Sequence, residues 1–236
     1  MTFGSVFAGI GGFDLGFERA GLQCKWQVEI DPYCRRVLER HWPDVERHDD
    51  VRTFEPGERH AVDVVCGGFP CQDLSVAGKG AGIDGERSGL WSELARIIGL
   101  VRPRYAVVEN VPALLGRGMG RVLGDLAAIG YDAEWDCIPA GAFGAHFIGD
   151  RLFIIATRSE AGSVRPQGCW PTPVRANQWG EHEFAGLVRV EAEHGIPAGS
   201  HGRVSDGISN RSHRLRALGN AIVPQVAEWI GRRLTQ

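Results

Sequence analysis

The sequence predicts a doubly wound α/β fold, in which helices cover a mostly parallel sheet and a small irregular lobe precedes the last helix. Short apolar runs alternate with helical patterns over the first two-thirds of the 236 residues, an order typical of βαβ units. From Ser159 to about Arg216 this pattern stops, and prolines and glycines become frequent. A chain of this length can bury one sizeable core and carry a small lobe.

The expected elements alternate along the chain. The helix at 32–41 opens with a proline, which suits a first helical turn. The helix at 91–101 places Leu94, Ile97 and Ile98 on one face. We expect strands at 2–8, 24–30, 62–66, 105–109 and 152–157, and helices at 13–20, 32–41, 91–101, 121–129 and 221–234.

The same pattern predicts the domain boundaries. Residues 1–158 and 217–236 are expected to form one domain, and residues 159–216 a small lobe across a cleft. The final helical segment carries Ile222, Val226 and Ile230 at helical spacing, so we expect it to pack back onto the main domain.

Composition excludes several classes of protein. No run of about 18 apolar residues occurs, so no membrane span is expected. Charged residues make up 23%, which argues against wholesale disorder. The six cysteines are scattered and no two form a C-x-x-C pair, so we expect neither a disulfide framework nor a metal site. The expected location is therefore a reduced cytoplasm.

Charge is unevenly distributed along the chain. Residues 1–150 hold 15 Lys and Arg against 22 Asp and Glu, a balance of -7. Residues 151–236 hold 11 Arg against 7 Asp and Glu, a balance of +4. A basic C-terminal part on an acidic body is compatible with a phosphate-facing surface, although solvated faces often show a similar asymmetry.

A glycine-rich turn, Phe7-Ala8-Gly9-Ile10-Gly11-Gly12, links the first predicted strand to the first helix. Glycines there allow a tight turn and a close approach of the backbone to a ligand. Glu29 ends the next strand about twenty residues on, where a carboxylate can hold ribose hydroxyls. The dinucleotide fingerprint would need a small residue in place of Asp14. A nucleotide-like cofactor other than NAD is therefore expected.

A cysteine follows another predicted strand, in Gly67-Gly68-Phe69-Pro70-Cys71-Gln72. Open α/β sheets bind ligands just beyond the carboxyl ends of their strands. Pro70 restricts its own backbone and that of Phe69, which presents the thiol rigidly. The alternative is a surface loop with a buried thiol, the more common role of a single cysteine.

Three later residues complete the set of candidates. Val107-Val108-Glu109-Asn110-Val111 places a carboxylate at the end of a strand, where it can enter the same crevice or simply pair with an arginine. Arg151 comes directly before the strand at 152–157. Gly219-Asn220-Ala221 forms a turn into the last helix, which Asn220 could cap.

In this order, the five motifs resemble the DNA (cytosine-5) methyltransferase family, and in style the short enzymes of bacteriophages and prophages. The resemblance covers residues 3–158 and 202–233. It implies a Rossmann-like fold that binds S-adenosylmethionine, with residues 159–216 as a target-recognition lobe. It also implies a monomer that acts on double-stranded DNA.

The resemblance assigns roles residue by residue. Cys71 matches the nucleophile, Glu109 the acid at cytosine N3, and Arg151 the partner of cytosine O2. The pocket for S-adenosylmethionine would be lined by Phe7, Gly9, Gly11 and Gly12, by Glu29 on the ribose and Ile30 against the adenine, by Asp50, Val51 and Leu90, and by Asn220 and Ala221 from the last helix.

The implied reaction explains why these residue types are needed. A thiolate that adds to cytosine C6 makes C5 nucleophilic, and loss of the C5 proton after methyl transfer expels the thiolate. A free cysteine with a pKa of about 8.5 is only a few per cent thiolate at pH 7, so we expect the site to lower the pKa of Cys71. A stacked base cannot reach such a crevice, so the target cytosine is expected to be flipped out.

Two alternatives stay open, one because of a departure from the family and one because an RNA-directed branch shares the same catalytic residues. The family usually carries two arginines before the strand at 152–157; Arg151 matches the second, but Gly149 stands in the first position. A catalytically impaired DNA-binding relative is therefore one alternative. The other is an RNA-directed enzyme that methylates tRNA cytosine, although the Cys-Phe-Thr element usual in that branch does not occur in the sequence.

Overall fold

The computed structural model describes residues 1–70, 89–143, 150–159 and 221–236, and these residues contain a single seven-stranded sheet. In space the strands lie in the order β3-β2-β1-β4-β5-β7-β6. In chain order they are β1 (Thr2–Val6), β2 (Gln23–Val28), β3 (Glu46–His48), β4 (Val64–Gly68), β5 (Tyr105–Asn110), β6 (Tyr131–Pro139) and β7 (Asp150–Arg158).

The first five strands are parallel, and β7 runs antiparallel between β5 and β6. Strand β1 pairs with β2 on one side and with β4 on the other. The order of the strands therefore reverses beside β1. In open α/β sheets, ligands bind at the carboxyl ends of the strands at such a reversal.

Helices cover both faces of the sheet, so the central strands are buried on both sides. In β4, Val65 packs into one core, together with Ile97 of the third helix. Its neighbour Cys66 packs into the other core, together with Phe17 of the first helix. The helices of the described residues are α1 (Gly12–Arg19), α2 (Pro32–His41), α3 (Leu90–Val101), α4 (Leu114–Arg117), α5 (Met119–Ala128) and α6 (Pro224–Leu234).

The last helix, α6, packs tightly against α1. A Cβ atom added to Gly16 would lie 2.3 Å from the carbonyl oxygen of Pro224 and 2.5 Å from the Cβ of Ala227. One added to Gly231 would lie 2.8 Å from the Cβ of Ala20. Glycine thus permits close backbone contact on both helices, which holds the C-terminal segment beside the glycine-rich turn.

The predicted α/β fold with a mostly parallel sheet is confirmed, and all ten predicted elements are present with their ends shifted by three residues or fewer. The small lobe predicted at 159–216 lies almost entirely outside the described residues. Strand β4 continues through Gly67 and Gly68 because these residues pair with β5, although glycine disfavours strands. Among the described residues, no helix is long and apolar enough to cross a membrane.

Two strands were not predicted. Strand β3 has only three residues, all polar, so it shows no apolar run. Strand β6 lies at the outer edge of the sheet, and its solvent-facing positions carry Asp132, Glu134 and Asp136. Charged residues are common on edge strands, where they discourage pairing with other chains.

Candidate cofactor and catalytic site

The predicted site residues that the structure describes converge on one edge of the sheet. The glycine-rich turn, Glu29 and Asp50 follow the carboxyl ends of β1, β2 and β3. Glu109 lies at the carboxyl end of β5, and Arg151 lies at the start of the antiparallel β7, which is the same edge. The cofactor and catalytic candidates therefore lie along the same edge of the sheet.

The glycine-rich turn is closely backed on one side and open on the other. Phe7, Gly9 and Gly11 have positive φ angles of 56°, 57° and 86°. The left-handed backbone conformation that these angles define strains a phenylalanine but not a glycine. A Cβ atom on Gly11 would lie 2.4 Å from the Trp42 ring, whereas one on Gly9 would meet no atom within 4 Å. The turn is thus supported from beneath and leaves room for a ligand above Gly9.

Glu29 is held by the backbone around it. Its Oε2 accepts a hydrogen bond from the Gly9 N–H and its Oε1 one from the Asp31 N–H, both at 2.7 Å. Burial raises the pKa of Glu29, while these backbone hydrogen bonds oppose the rise. The N–H of Ile30 also contributes a backbone hydrogen bond that lowers the pKa of Glu29. Three neighbouring backbone groups therefore fix the direction of the carboxylate.

The remaining cofactor candidates differ in how they are exposed. Ile30 is 58% exposed and offers an apolar surface at the crevice. Asp50 is half-buried, and Leu90 begins α3 half-buried against the core. The side chain of Val51 is buried in the core, and its carbonyl accepts a hydrogen bond from Arg96 Nη2 at 2.8 Å.

The C-terminal segment reaches the glycine-rich turn. A Cβ atom on Gly12 would lie 2.4 Å from the carbonyl oxygen of Ile222. Ala221, which precedes Ile222, is half-buried. Asn220 lies outside the described residues.

The buried Glu109 forms an ion pair with the half-buried Arg151 at the carboxyl end of β5. Arg151 Nε lies 2.9 Å from Glu109 Oε1, and Glu109 is only 9% exposed. Burial raises the pKa of Glu109 to about 7, and the guanidinium of Arg151 opposes that rise. Glu109 can therefore either donate or accept a proton near neutral pH.

Asn110 connects β5 to the loop that leads to Cys71. Its Nδ2 donates a hydrogen bond to the carbonyl of Phe69 at 3.1 Å, and its Oδ1 accepts one from the Val111 N–H at 2.9 Å. The Phe69 ring packs on Trp91 with 5.3 Å between ring centroids. Sequence reasoning assigned Asn110 no role, since only strand pairing reveals this contact. Cys71 itself lies outside the described residues.

One group of possible metal ligands occurs among the described residues, at Glu46, His48 and His60. The Gly57 N–H donates to His60 Nδ1 at 2.9 Å, so a neutral His60 carries its proton on Nε2, the atom that faces Glu46. Metal-binding histidines usually donate from the second ring nitrogen instead. Arg59 also contacts the same Glu46 oxygen at 2.8 Å. The acceptor role of His60 Nδ1 and the ion pair between Arg59 and Glu46 argue against a metal site.

Solved structures define the class of this fold. The chain superposes on a DNA modification methyltransferase encoded within a prophage of E. coli with a TM-score of 0.57, 23% identity, and coverage of 67% of this chain and 47% of that one. For the Dnmt2 methyltransferase of S. pombe the TM-score is 0.60, with 17% identity and coverage of 77% and 58%. The chain thus shares the fold of these methyltransferases.

The family follows from sequence. The model of the C-5 cytosine-specific DNA methylase family matches residues 1–190, so the chain belongs to that family. It is 37% identical over 168 residues to the Type II methyltransferase M2.BsuMI of Bacillus subtilis (strain 168). This match covers 68% of the chain but only 43% of the Bacillus protein, so the chain spans less than half of that relative's length.

Proposed function

We propose that this protein transfers a methyl group from S-adenosylmethionine to C5 of cytosine in a specific double-stranded DNA sequence. The observation that carries this proposal is the ion pair between the buried Glu109 and the half-buried Arg151, beside the strand that leads to Pro70 and Cys71. Membership of the C-5 cytosine-specific DNA methylase family supports the same activity.

The residues present fit the cofactor. Backbone hydrogen bonds hold the Glu29 carboxylate at the end of β2, and its remaining acceptor capacity suits a ribose hydroxyl. Ile30 offers an exposed apolar surface for an adenine ring, and the space above Gly9 is open. When bound, S-adenosylmethionine would supply an electrophilic methyl group on a cationic sulfur. We assign Phe7, Gly9, Gly11, Gly12, Asp50, Val51, Leu90, Asn220 and Ala221 to the same pocket.

Glu109 and Arg151 would act on the cytosine ring. With a pKa of about 7, Glu109 is partly protonated at neutral pH and can donate a hydrogen bond to N3, which makes C6 electrophilic. Arg151 keeps the carboxyl group in place and directs its positive charge towards the same region, where O2 gains negative charge.

Cys71 would form the covalent bond. Its thiolate would add to C6 and make C5 nucleophilic towards a methyl group, and loss of the C5 proton to solvent would then re-form the C5–C6 double bond and expel the thiolate. Asn110 helps to position the loop, because it holds the carbonyl of Phe69, two residues before Cys71.

We further infer the arrangement around the substrate. Residues 1–158 and 217–236 would form the catalytic domain, and residues 159–216 a lobe that reads the DNA sequence while the target base is flipped out. The protein would act as a monomer in the cytoplasm, where the free cysteines Cys24, Cys34, Cys66 and Cys137 stay reduced.

Transfer of labelled methyl groups tests the proposal. Purified protein is incubated with labelled S-adenosylmethionine and duplex DNA, tRNA or no acceptor, and bisulfite sequencing locates the modified base. Label in duplex DNA at cytosine C5 is the expected result. Label only in tRNA would establish the RNA-directed alternative. Sequence-specific DNA binding without label would establish the impaired relative that Gly149 suggests.

A further inference from the structure

A buried polar network centred on Asp14 lies beneath the glycine-rich turn. Asp14 sits in the first turn of α1 and is fully buried. Its Oδ2 accepts a hydrogen bond from Ser5 Oγ at 3.0 Å, and its Oδ1 accepts one from Gln27 Nε2 at 2.7 Å and a weak one from Cys24 Sγ at 3.6 Å. Burying a carboxyl group is costly unless it has partners, and here side chains from two strands supply them.

The network continues to the second helix and returns to the turn. Gln27 Oε1 accepts a hydrogen bond from Arg47 Nε at 2.9 Å. Arg47 Nη2 in turn donates to the carbonyl of Trp42, just after α2. The Trp42 ring packs against Gly11, three residues before Asp14. The contacts therefore form a closed circuit around the base of the turn.

Ser5, Gln27 and Arg47 each lie in a strand just before a segment that carries cofactor candidates. Ser5 is in β1 before the turn, Gln27 is in β2 two residues before Glu29, and Arg47 is in β3 three residues before Asp50. Ser5, Asp14 and Gln27 are all fully buried, so they can affect a ligand only through the residues that they position. Fully satisfied buried networks favour one geometry over its alternatives.

We propose that Asp14 is a positioning residue for the cofactor, which acts through Ser5, Gln27 and Arg47 to set the three strand ends and the glycine-rich turn relative to one another. This inference rests on the proposed function, since it concerns affinity for S-adenosylmethionine. The opposing explanation is that the network stabilises the fold and leaves the cofactor pocket unaffected.

Two changes to the network separate these explanations. Gln27→Met keeps the side-chain volume but leaves Asp14 Oδ1 and Arg47 Nε without their shared partner. The double variant Asp14→Asn/Gln27→Glu exchanges the amide and the carboxylate. The new amide at position 14 can then donate to the new carboxylate at position 27, which can still accept from Arg47. The dissociation constant for S-adenosylmethionine is measured by calorimetry at 20 °C without DNA, alongside the melting temperature.

We expect Gln27→Met to weaken cofactor binding roughly tenfold, which corresponds to about 1.4 kcal/mol. The double variant should bind within about threefold of the unchanged protein, because the circuit is still closed. Asp63→Ala is the control, since it removes the two hydrogen bonds that hold Thr2 at the opposite end of β1. It should lower the melting temperature and leave the dissociation constant unchanged.

Unchanged affinity in Gln27→Met, with only a lower melting temperature, would overturn the inference. Equal loss of affinity in the double variant would overturn it as well. If Gln27→Met does not fold, Arg47→Met decides the question, because Asp14 then keeps Ser5 and Gln27; it must weaken binding at least threefold. Failure of the unchanged protein to bind S-adenosylmethionine would count against the proposed function instead.

Discussion

Gly68 lies directly opposite Glu109 in the parallel pairing of β4 and β5, and a Cβ atom at position 68 would lie 2.5 Å from Glu109 Oε2. Because Gly68 has no side chain, the Glu109 carboxylate can occupy this space beside Arg151. The sequence drew attention to Gly68 only as part of a glycine pair before Cys71. Its contact with Glu109 explains why a larger side chain would disturb the proposed chemistry.

Gly68→Ala should therefore impair catalysis while leaving the fold intact. The atom displaced is the end of a flexible side chain, so the Glu109 carboxylate would move away and its pairing with Arg151 would change. A misplacement of about 1 Å can cost roughly a hundredfold in rate. We expect a loss of ten- to hundredfold in methyl transfer, with cofactor affinity unchanged.

Gly124→Ala is the matched control for that substitution. Gly124 is exposed in α5, and a Cβ atom there would meet nothing within 4 Å. It should raise stability by about 0.5–1 kcal/mol and leave activity unchanged. Normal methyl transfer by Gly68→Ala would contradict the role given to the position of Glu109.

The raised pKa of Glu109 predicts how stability depends on pH. The folded protein holds this proton up to a pKa of about 7, whereas the unfolded chain releases it near 4.5. The contribution of Glu109 to stability is therefore fully present below pH 4.5 and is lost as pH rises through 7. The loss amounts to about 3 kcal/mol at most, at 1.36 kcal/mol for each pKa unit.

Urea unfolding from pH 5 to pH 8 measures this effect in the unchanged protein and in Glu109→Gln, which cannot titrate. The difference in unfolding free energy between the two should move in favour of Glu109→Gln as pH rises. Glu134→Gln on the exposed edge strand β6 changes the net charge equally and should follow the unchanged protein. Parallel curves for Glu109→Gln and the unchanged protein would show that the pKa of Glu109 is ordinary.

Sequence reasoning located the residues at strand ends because alternating patterns and strand-end motifs are local signals. Glu29 and Glu109 both lie where the apolar runs end, and the sheet brings them to one edge. The pattern could not reveal the burial of Asp14, since a charged residue near a helix start is normally solvated. Nor could it show that Arg47 reaches Gln27, because that contact depends on β3, a strand of three polar residues.

Cys71→Ala tests the nucleophile. Methyl transfer should be abolished, while the dissociation constant for S-adenosylmethionine stays within about twofold, because the thiol is assigned to the chemistry alone. Duplex DNA with 5-fluorocytosine, incubated with S-adenosylmethionine, provides a second measurement, since fluorine replaces the C5 hydrogen whose loss as a proton would expel the thiolate. A covalent complex that survives denaturing electrophoresis should form with the unchanged protein and with Cys137→Ala, but not with Cys71→Ala. A complex with Cys71→Ala would show that another group attacks C6.

The contact between α1 and α6 allows a test of whether the last helix belongs to the catalytic domain. A Cβ atom on Gly16 would meet the Pro224 backbone at 2.3 Å, and neither backbone can easily yield. Gly16→Ala should therefore separate the two helices and cost about 1–3 kcal/mol of stability. The separation would also lift Ile222 from Gly12, so affinity for S-adenosylmethionine should fall about threefold or more.

Gly99→Ala in α3 is the control, since its new Cβ would meet only Ile129 Cγ2 at an ordinary 3.7 Å. Melting temperature and calorimetric affinity are measured for both variants. If Gly16→Ala matched Gly99→Ala in both, α6 would not contribute to the catalytic domain, and the boundary proposed at residue 217 would be wrong.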